Sequence, residues 1–465
     1  MSGAQVGNGI VRPVEPPKPS LKARTLRAGA WSILAHFAGQ FLRLASSLVM
    51  TRLLVPEMFG VMAIATVVHV TVGLLSDVGI QQAVVQNRRG NSPEFQDTAW
   101  SLQVVRGWMI WGVCVAIGGI IYLADRWGWA PTGTVYAVPV LPAIVASSSF
   151  ASAIMGFTST RMMTANRALN QRVITLVELT AQIVGLSVMF ALGWWTRSIW
   201  SVVAGGLVTA LVSVTLSHTW VPGHRNRFRL DPACVRDIVS FGRWIFVSSA
   251  LGVLATNGDR FLLGVWLSAS LLGVYSIALN LATVVEGLAY RLFGGVSFAV
   301  FSEVARETPA RLRSVYFRMR LPADVVFLTI AGLLYAAGPA IVNLLYDNRY
   351  SQAGPMLQIL SFALFFTRYS LACSTYVALG KPQYQTLVQA INLVSMFVFI
   401  PGLFALYGVF GAIWGVALYR LPSSLMVWVL SRRHGIHSTL FELAVLPAWA
   451  VGWGVGWALA QLLHH

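Results

Sequence analysis

The sequence predicts an all-α polytopic membrane protein: two pseudo-symmetric six-helix bundles around a central cavity, with about 12–14 transmembrane helices. Three observations predict it. Of 465 residues, 56% are hydrophobic and only 11% charged, too little polar surface to cover a water-soluble globule. Apolar runs of about 20 residues recur along the chain, the length at which a helix satisfies its own backbone across lipid. Finally, the segment Gly29 to Leu75 overlays Gly242 to Leu288 without a gap. The identities include Gly29/Gly242, Trp31/Trp244, Gly39/Gly252, Leu54/Leu267, Gly60/Gly273, Val61/Val274 and Ile64/Ile277. A repeated helical pair inside such a chain points to a transporter, with the solute site between the halves.

About thirteen spans follow in order, at approximately 31–53, 58–80, 99–123, 134–157, 172–193 and 198–220 in the first half. The second half gives approximately 243–267, 271–295, 322–346, 354–379, 384–406 and 407–430, and a last span lies near 441–463. The expected organisation is a disordered cytoplasmic leader (1–28), an N-terminal bundle (29–220), a cytoplasmic linker (221–242), a C-terminal bundle (243–430) and an additional helix (431–465). In the linker, Asp231 is expected to cap a short surface helix reaching Gly242, and Ser302 to Arg320 reads as another. Pro139, Pro142, Pro339, Pro422 and Pro447 fall within spans and are read as breaks or bends.

Charge fixes the orientation. The polar leader carries Arg12, Lys18, Lys22, Arg24 and Arg27, and every second loop is basic: Arg88/Arg89, Arg161/Arg167/Arg172, Arg225/Arg227/Arg229/Arg236, Arg306/Arg311/Arg313/Arg318/Arg320, Lys381 and Arg432/Arg433. The intervening loops hold little beyond Arg126, Arg197 and Arg349, so the N-terminus is expected in the cytoplasm. The net charge of +17 is spread over these short loops, where it suits anionic lipid headgroups and no nucleic-acid fold. Three cysteines, Cys114, Cys234 and Cys373, give neither a disulfide framework nor a metal cluster, and no cofactor is expected. Trp127, Trp129, Trp194, Trp195, Trp200 and Trp220 cluster near span ends as interface anchors.

The candidate site residues are charges deep in the spans. Each costs about 2.5–3.5 kcal/mol to insert unless it finds a partner or a water-filled cavity. Arg43, Arg106, Arg260, Arg368 and Arg420 outnumber the deep acids Glu178, Asp259 and Glu286. Such an excess implies a cationic cavity between the halves, suited to a lipid-linked pyrophosphate because guanidinium grips phosphate through two parallel hydrogen bonds. The competing reading makes single arginines static partners of the acids. Asp259, Glu178 and Glu286 are the candidates for ion coupling.

The run from Arg52 through Leu54, Pro56 and Glu57 to Gly60 resembles the "RLLGPEDFG" turn of polysaccharide-type flippases, the Wzx-like branch of the multidrug/oligosaccharidyl-lipid/polysaccharide exporter superfamily. Ser76-Asp77-Val78-Gly79-Ile80 is similar to that family's "SDLGLG" segment, Asn257-Gly258-Asp259-Arg260 to its "NxDR" signature, and Ala378-Leu379-Gly380-Lys381-Pro382 to its "ALGKP" turn. Two features depart from the pattern: Val300-Phe301-Ser302-Glu303 lacks the family's proline, and the span count is odd. The resemblance implies alternating access without catalysis. It also implies movement of an undecaprenyl-pyrophosphate-linked oligosaccharide across the bacterial inner membrane, and partners in the polysaccharide polymerase and export machinery. A small-molecule exporter of the same fold is the first rival, with an acidic or apolar cavity. A membrane glycosyltransferase or polymerase is the second, although the outer loops are short and no paired acidic metal motif is present.

Overall fold

The computed structural model describes residues 21–464, with side chains except at 21–28, 240–256, 285, 288–296, 298, 299, 309, 382 and 464. Most of the expected leader (1–28) lies outside the described residues, and a helix already begins at Leu21. The first half comprises α1 (Leu21–Leu53), α2 (Pro56–Leu75), α3 (Ile80–Gln86), α4 (Pro93–Arg126), α5 (Leu141–Gly156), α6 (Arg161–Arg167), α7 (Gln171–Thr196) and α8 (Trp200–Thr219). The second comprises α9 (Pro232–Trp266), α10 (Ala269–Glu307), α11 (Leu312–Leu345), α12 (Ala353–Ser361), α13 (Ala363–Thr367), α14 (Ser370–Ala378), α15 (Pro382–Leu418) and α16 (Leu421–Arg433). The chain ends in α17 (Thr439–Ala444) and α18 (Pro447–His464). Among the described residues, nine helical segments are long and apolar enough to cross a membrane, or ten if α5 and α6, bent by 68°, form one span.

Helix starts explain most of the prolines. Pro142 and Pro422 occupy the first turns of α5 and α16, Pro447 opens α18, and Pro139 lies in the turn before α5. They correct the expected breaks, because a first-turn proline lacks only a donor that has no intrahelical partner anyway. Pro339 does lie inside α11, as does Pro322. The real break is at Gly408, whose φ of 62° and ψ of −143° no side-chain-bearing residue adopts readily. A Cβ on Gly411 would stand 2.0 Å from the Leu403 carbonyl oxygen, and one on Gly415 2.7 Å from the Ile400 Cα. The arms of α15 therefore run antiparallel as a tight hairpin and account for two of the expected spans.

The two expected surface helices are absent as separate elements. Asp231 does cap a helix, accepting from the Ala233 and Cys234 amides at 3.0 Å, but that helix is α9 itself, continuous to Trp266. Residues 302–320 are divided between the end of α10 and the start of α11, and α10 passes unbroken through Val300 to Glu303, where the family proline is missing. The linker before α9 is extended and strapped to the first turns of α4. The Arg227 amide donates to Asp97 Oδ1 (2.9 Å), the Arg229 amide to Ser101 Oγ (3.0 Å) and the Asp231 amide to Thr98 Oγ1 (3.1 Å).

Helices approach closely through small residues, as expected where lipid supplies no hydrophobic drive to associate. A Cβ on Gly107 of α4 would meet the Ser152 carbonyl of α5 at 2.5 Å, and one on Gly185 of α7 the Gly205 carbonyl of α8 at 2.7 Å. Between the halves the contact is reciprocal. A Cβ on Gly60 of α2 would stand 1.9 Å from the Ala269 carbonyl oxygen, and one on Gly273 of α10 2.0 Å from the Pro56 carbonyl oxygen. Ala269 and Gly273 are the repeat equivalents of Pro56 and Gly60, so the contact has the form of a pseudo-twofold axis. At the same end, away from the basic loops, Tyr350 Oη donates to the Leu54 carbonyl (2.9 Å) and the Val135 amide to the Leu267 carbonyl (3.2 Å). At the basic-loop end Arg89 and Asn87 of the first half reach Asp237 of α9 at 2.5 and 3.3 Å.

Candidate functional site

A cavity of about 820 Å³ opens beside the first half, its described lining residues coming from helices α1 to α8. Arg43, Arg106 and Glu178 line it, together with Asp77 and the carboxamides Gln81, Gln82 and Gln182. Local sequence builds its floor. α2 ends at Leu75, Asp77 Oδ1 accepts the Gly79 amide at 3.0 Å, and Gly79 takes a φ of 64° that glycine alone adopts freely. That turn points the Gly73 and Ser76 carbonyls at α4. Arg106 binds them through Nη2 (2.7 Å) and Nε (2.9 Å), with Asp77 Oδ1 3.7 Å from Nη2. The Ser76 to Gly79 motif thus fixes the one cavity arginine that is tied down.

Arg43 differs. It is exposed to the cavity, and its guanidinium has no hydrogen bond or ion pair among the described residues. Glu178 is likewise exposed on the cavity wall with its carboxylate unpaired among them. Register between α1 and α7 places the two charges. Arg172 stands 5.8 Å over the Trp31 ring, a Cβ on Gly39 would lie 3.7 Å from Gln182 Oε1, and one on Gly193 3.1 Å from Met50 Cε. The helices are therefore parallel, Glu178 is level with His36, and Arg43 lies about 10 Å further from the basic-loop end at about 1.5 Å per residue.

The remaining expected site residues are in the second half, each with its own partner and none on the wall of this cavity. Arg420 Nη1 binds Glu286 Oε1 and Thr367 Oγ1, both at 2.7 Å. Asp259 accepts from Tyr275 Oη at 2.5 Å, and Arg260 Nη1 donates to Asn257 Oδ1 at 3.2 Å. Arg368 belongs to a buried quartet. Its Nη1 meets Asp324 Oδ2 (3.1 Å) and its Nη2 Glu442 Oε2 (2.9 Å), while Arg320 Nε and Nη1 meet Asp324 Oδ2 (3.1 Å) and Glu442 Oε1 (2.6 Å). Tyr369 Oη donates to Glu442 Oε2 at 3.0 Å and accepts from Trp428 Nε1 at 3.0 Å. The five arginines therefore do not form one lining between the halves. Sequence reasoning missed Arg320, Asp324 and Glu442, having placed Arg320 in a basic loop; the available signal was the i, i+4 spacing of Arg320 and Asp324.

His69 Nε2 lies 2.5 Å from Ser152 Oγ, joining α2 to α5. Among the described residues no group of three or more His, Cys, Asp or Glu is placed to hold a metal ion, and the three cysteines are free thiols.

Paired helical bundles with a polar cavity between lipid-facing helices define a membrane transporter fold, and solved structures share it. The lipid II flippase MurJ in an inward closed conformation superposes with a TM-score of 0.67 at 12% identity, over 93% of this chain and 96% of that one. An inward-facing multidrug resistance MATE family transporter of the MOP superfamily gives 0.63 at 13% identity, over 85% and 94%. The sequence model of the family described as polysaccharide biosynthesis protein matches residues 49–354, and the chain belongs to that family. It is 22% identical over 343 residues to the lipopolysaccharide biosynthesis protein WzxC of Escherichia coli (strain K12), covering 73% of this chain and 67% of that one. It is 20% identical over 360 residues to the succinoglycan biosynthesis transport protein ExoT of Rhizobium meliloti (strain 1021), covering 77% and 69%.

Proposed function

We propose that this protein flips a lipid-linked oligosaccharide, carried on undecaprenyl pyrophosphate, from the cytoplasmic to the periplasmic leaflet of a bacterial inner membrane, with its N-terminus in the cytoplasm. The observation that carries the reading is the unpaired Arg43 guanidinium in the cavity of about 820 Å³. A permanently charged, unpaired group in a cavity of the apolar bundle favours an anionic guest, and its planar fork suits phosphate oxygens. Arg106, held by the Gly73 and Ser76 carbonyls, adds a second fixed cation. The sugar hydroxyls meet the carboxamides, and the lipid tail stays in the bilayer. The cavity takes its guest from the basic-loop side, and the halves rock to release it opposite. The printed names of the relatives, in lipopolysaccharide and succinoglycan biosynthesis, support a saccharide cargo for this chain. The role is transport rather than catalysis, and the flipped saccharide passes to polymerase and export machinery.

The test is a liposome assay in which the headgroup of reconstituted lipid-pyrophosphate saccharide becomes accessible to an external enzyme, with and without a proton or sodium gradient. Gradient-accelerated exposure supports the reading and names the ion. Arg43→Ala is expected to slow exposure by about tenfold or more, the cost of one charge-assisted bidentate contact, and Arg43→Lys to recover part of it. Unchanged exposure in Arg43→Ala overturns the docking role.

A further inference from the structure

We propose that Glu178 reads the charge of the saccharide, admitting headgroups whose sugars are neutral or bear an amine and rejecting those bearing a carboxylate near this level; the inference rests on the flipping function proposed above. The cavity holds four described charged side chains that matter to a guest. Arg106 and Asp77 are spent largely on each other and on the turn at Gly73 and Ser76. Arg43 and Glu178 remain, opposite in sign and unpaired among the described residues, about 10 Å apart along the cavity at about 1.5 Å per helical residue.

A lipid-linked diphosphate brings its own negative charge, which Arg43 meets. A sugar carboxylate beside Glu178 would find no spare cation among the described residues of the wall. Its surroundings on the wall are the carboxamide of Gln182 one turn along α7 and His36 on α1 at the same level, while Arg172 at the start of α7 lies over Trp31. Two carboxylates facing each other in a poorly screened cavity repel strongly, whereas sugar hydroxyls donate to Glu178 and an ammonium pairs with it. Rejection by an unpaired like charge is a discriminating device that a purely cationic cavity lacks.

The experiment uses the reconstituted full chain and three lipid-pyrophosphate disaccharides differing in one ring: a hexose, its uronate and its free amino sugar. The wild type is expected to flip the hexose and amino forms at least about tenfold faster than the uronate, a difference of about 1.4 kcal/mol in barrier. Glu178→Gln brings the uronate rate to within about threefold of that variant's hexose rate, and Glu178→Asp keeps the wild-type discrimination. Equal rates for uronate and hexose in the wild type overturn the proposal, as does a Glu178→Gln variant that slows all three headgroups alike, which marks an ion-coupling acid. Absence of flipping for every headgroup in the wild type overturns the underlying function as well, so the two failures are distinct.

Discussion

Charged residues in the apolar helices have two fates here, and the sequence separates them poorly. Arg43 was legible because an arginine in mid-span must justify its insertion cost, and the structure leaves it facing the cavity. Arg368 stood out for the same reason, yet its partners come from α11 and α17, more than forty residues away on either side. No local pattern announces such an assembly. The quartet is nearly dry, with Arg320 3%, Asp324 0% and Glu442 4% exposed. Removing one charge strands the other three. Glu442→Gln is therefore expected to cost about 3–5 kcal/mol of stability, seen as an earlier unfolding transition in detergent. Arg420→Ala is expected to behave similarly through Glu286 but more mildly, because that pair is more than a quarter exposed.

At the scale of elements, hydropathy located the helices and misjudged what ends them. The apolar runs coincide with helices because lipid leaves the backbone no alternative. Proline position was ambiguous, since a run of apolar residues does not reveal whether a helix begins before or at Pro142, Pro422 or Pro447. The hairpin at Gly408 was legible as a division between two spans, although its glycine was not singled out. The last helix was expected only as an addition, whereas it packs along α11 with the backbones close: a Cβ on Gly452 would sit 1.9 Å from the Thr329 carbonyl oxygen, and one on Gly332 2.1 Å from that of Trp449. Gly452→Val is thus expected to pry α18 from α11 and to cost on the order of 2–4 kcal/mol, checked by thermal melting and by protease access to the α16–α17 connection.

Taken as a whole, the molecule has two halves in contact at both ends: backbone seats at one, and at the other the Arg89–Asp237 ion pair beside Cys234 and Ile238, which are buried against Ile80, Val84 and Phe95. The repeat predicted the pairing of halves; which charged side chains line the cavity was less legible, because side-chain direction in a helix depends on packing rather than on order along the chain. Asp237 at the basic-loop end is held below the usual carboxylate range, chiefly by the hydrogen bond from Arg89. A depressed carboxylate stabilises the state that contains it above its unpaired pKa of about 4, and that contribution is lost as pH falls through its lowered value. Acid below about pH 4 is therefore expected to loosen the basic-loop end, and Asp237→Asn to abolish that pH dependence in a cysteine cross-linking assay between α3 and α9.

The reciprocal seat of Gly60 on Ala269 and of Gly273 on Pro56 has a consequence for how the sequence can drift. The two glycines stand back to back across the axis, so added bulk at either one displaces the same pair of backbones. They form a single locus written twice. A library randomised at both positions should return glycine at each, with neither change able to rescue the other, and the loss should register first as failed closure of the outer end rather than as lost affinity for cargo.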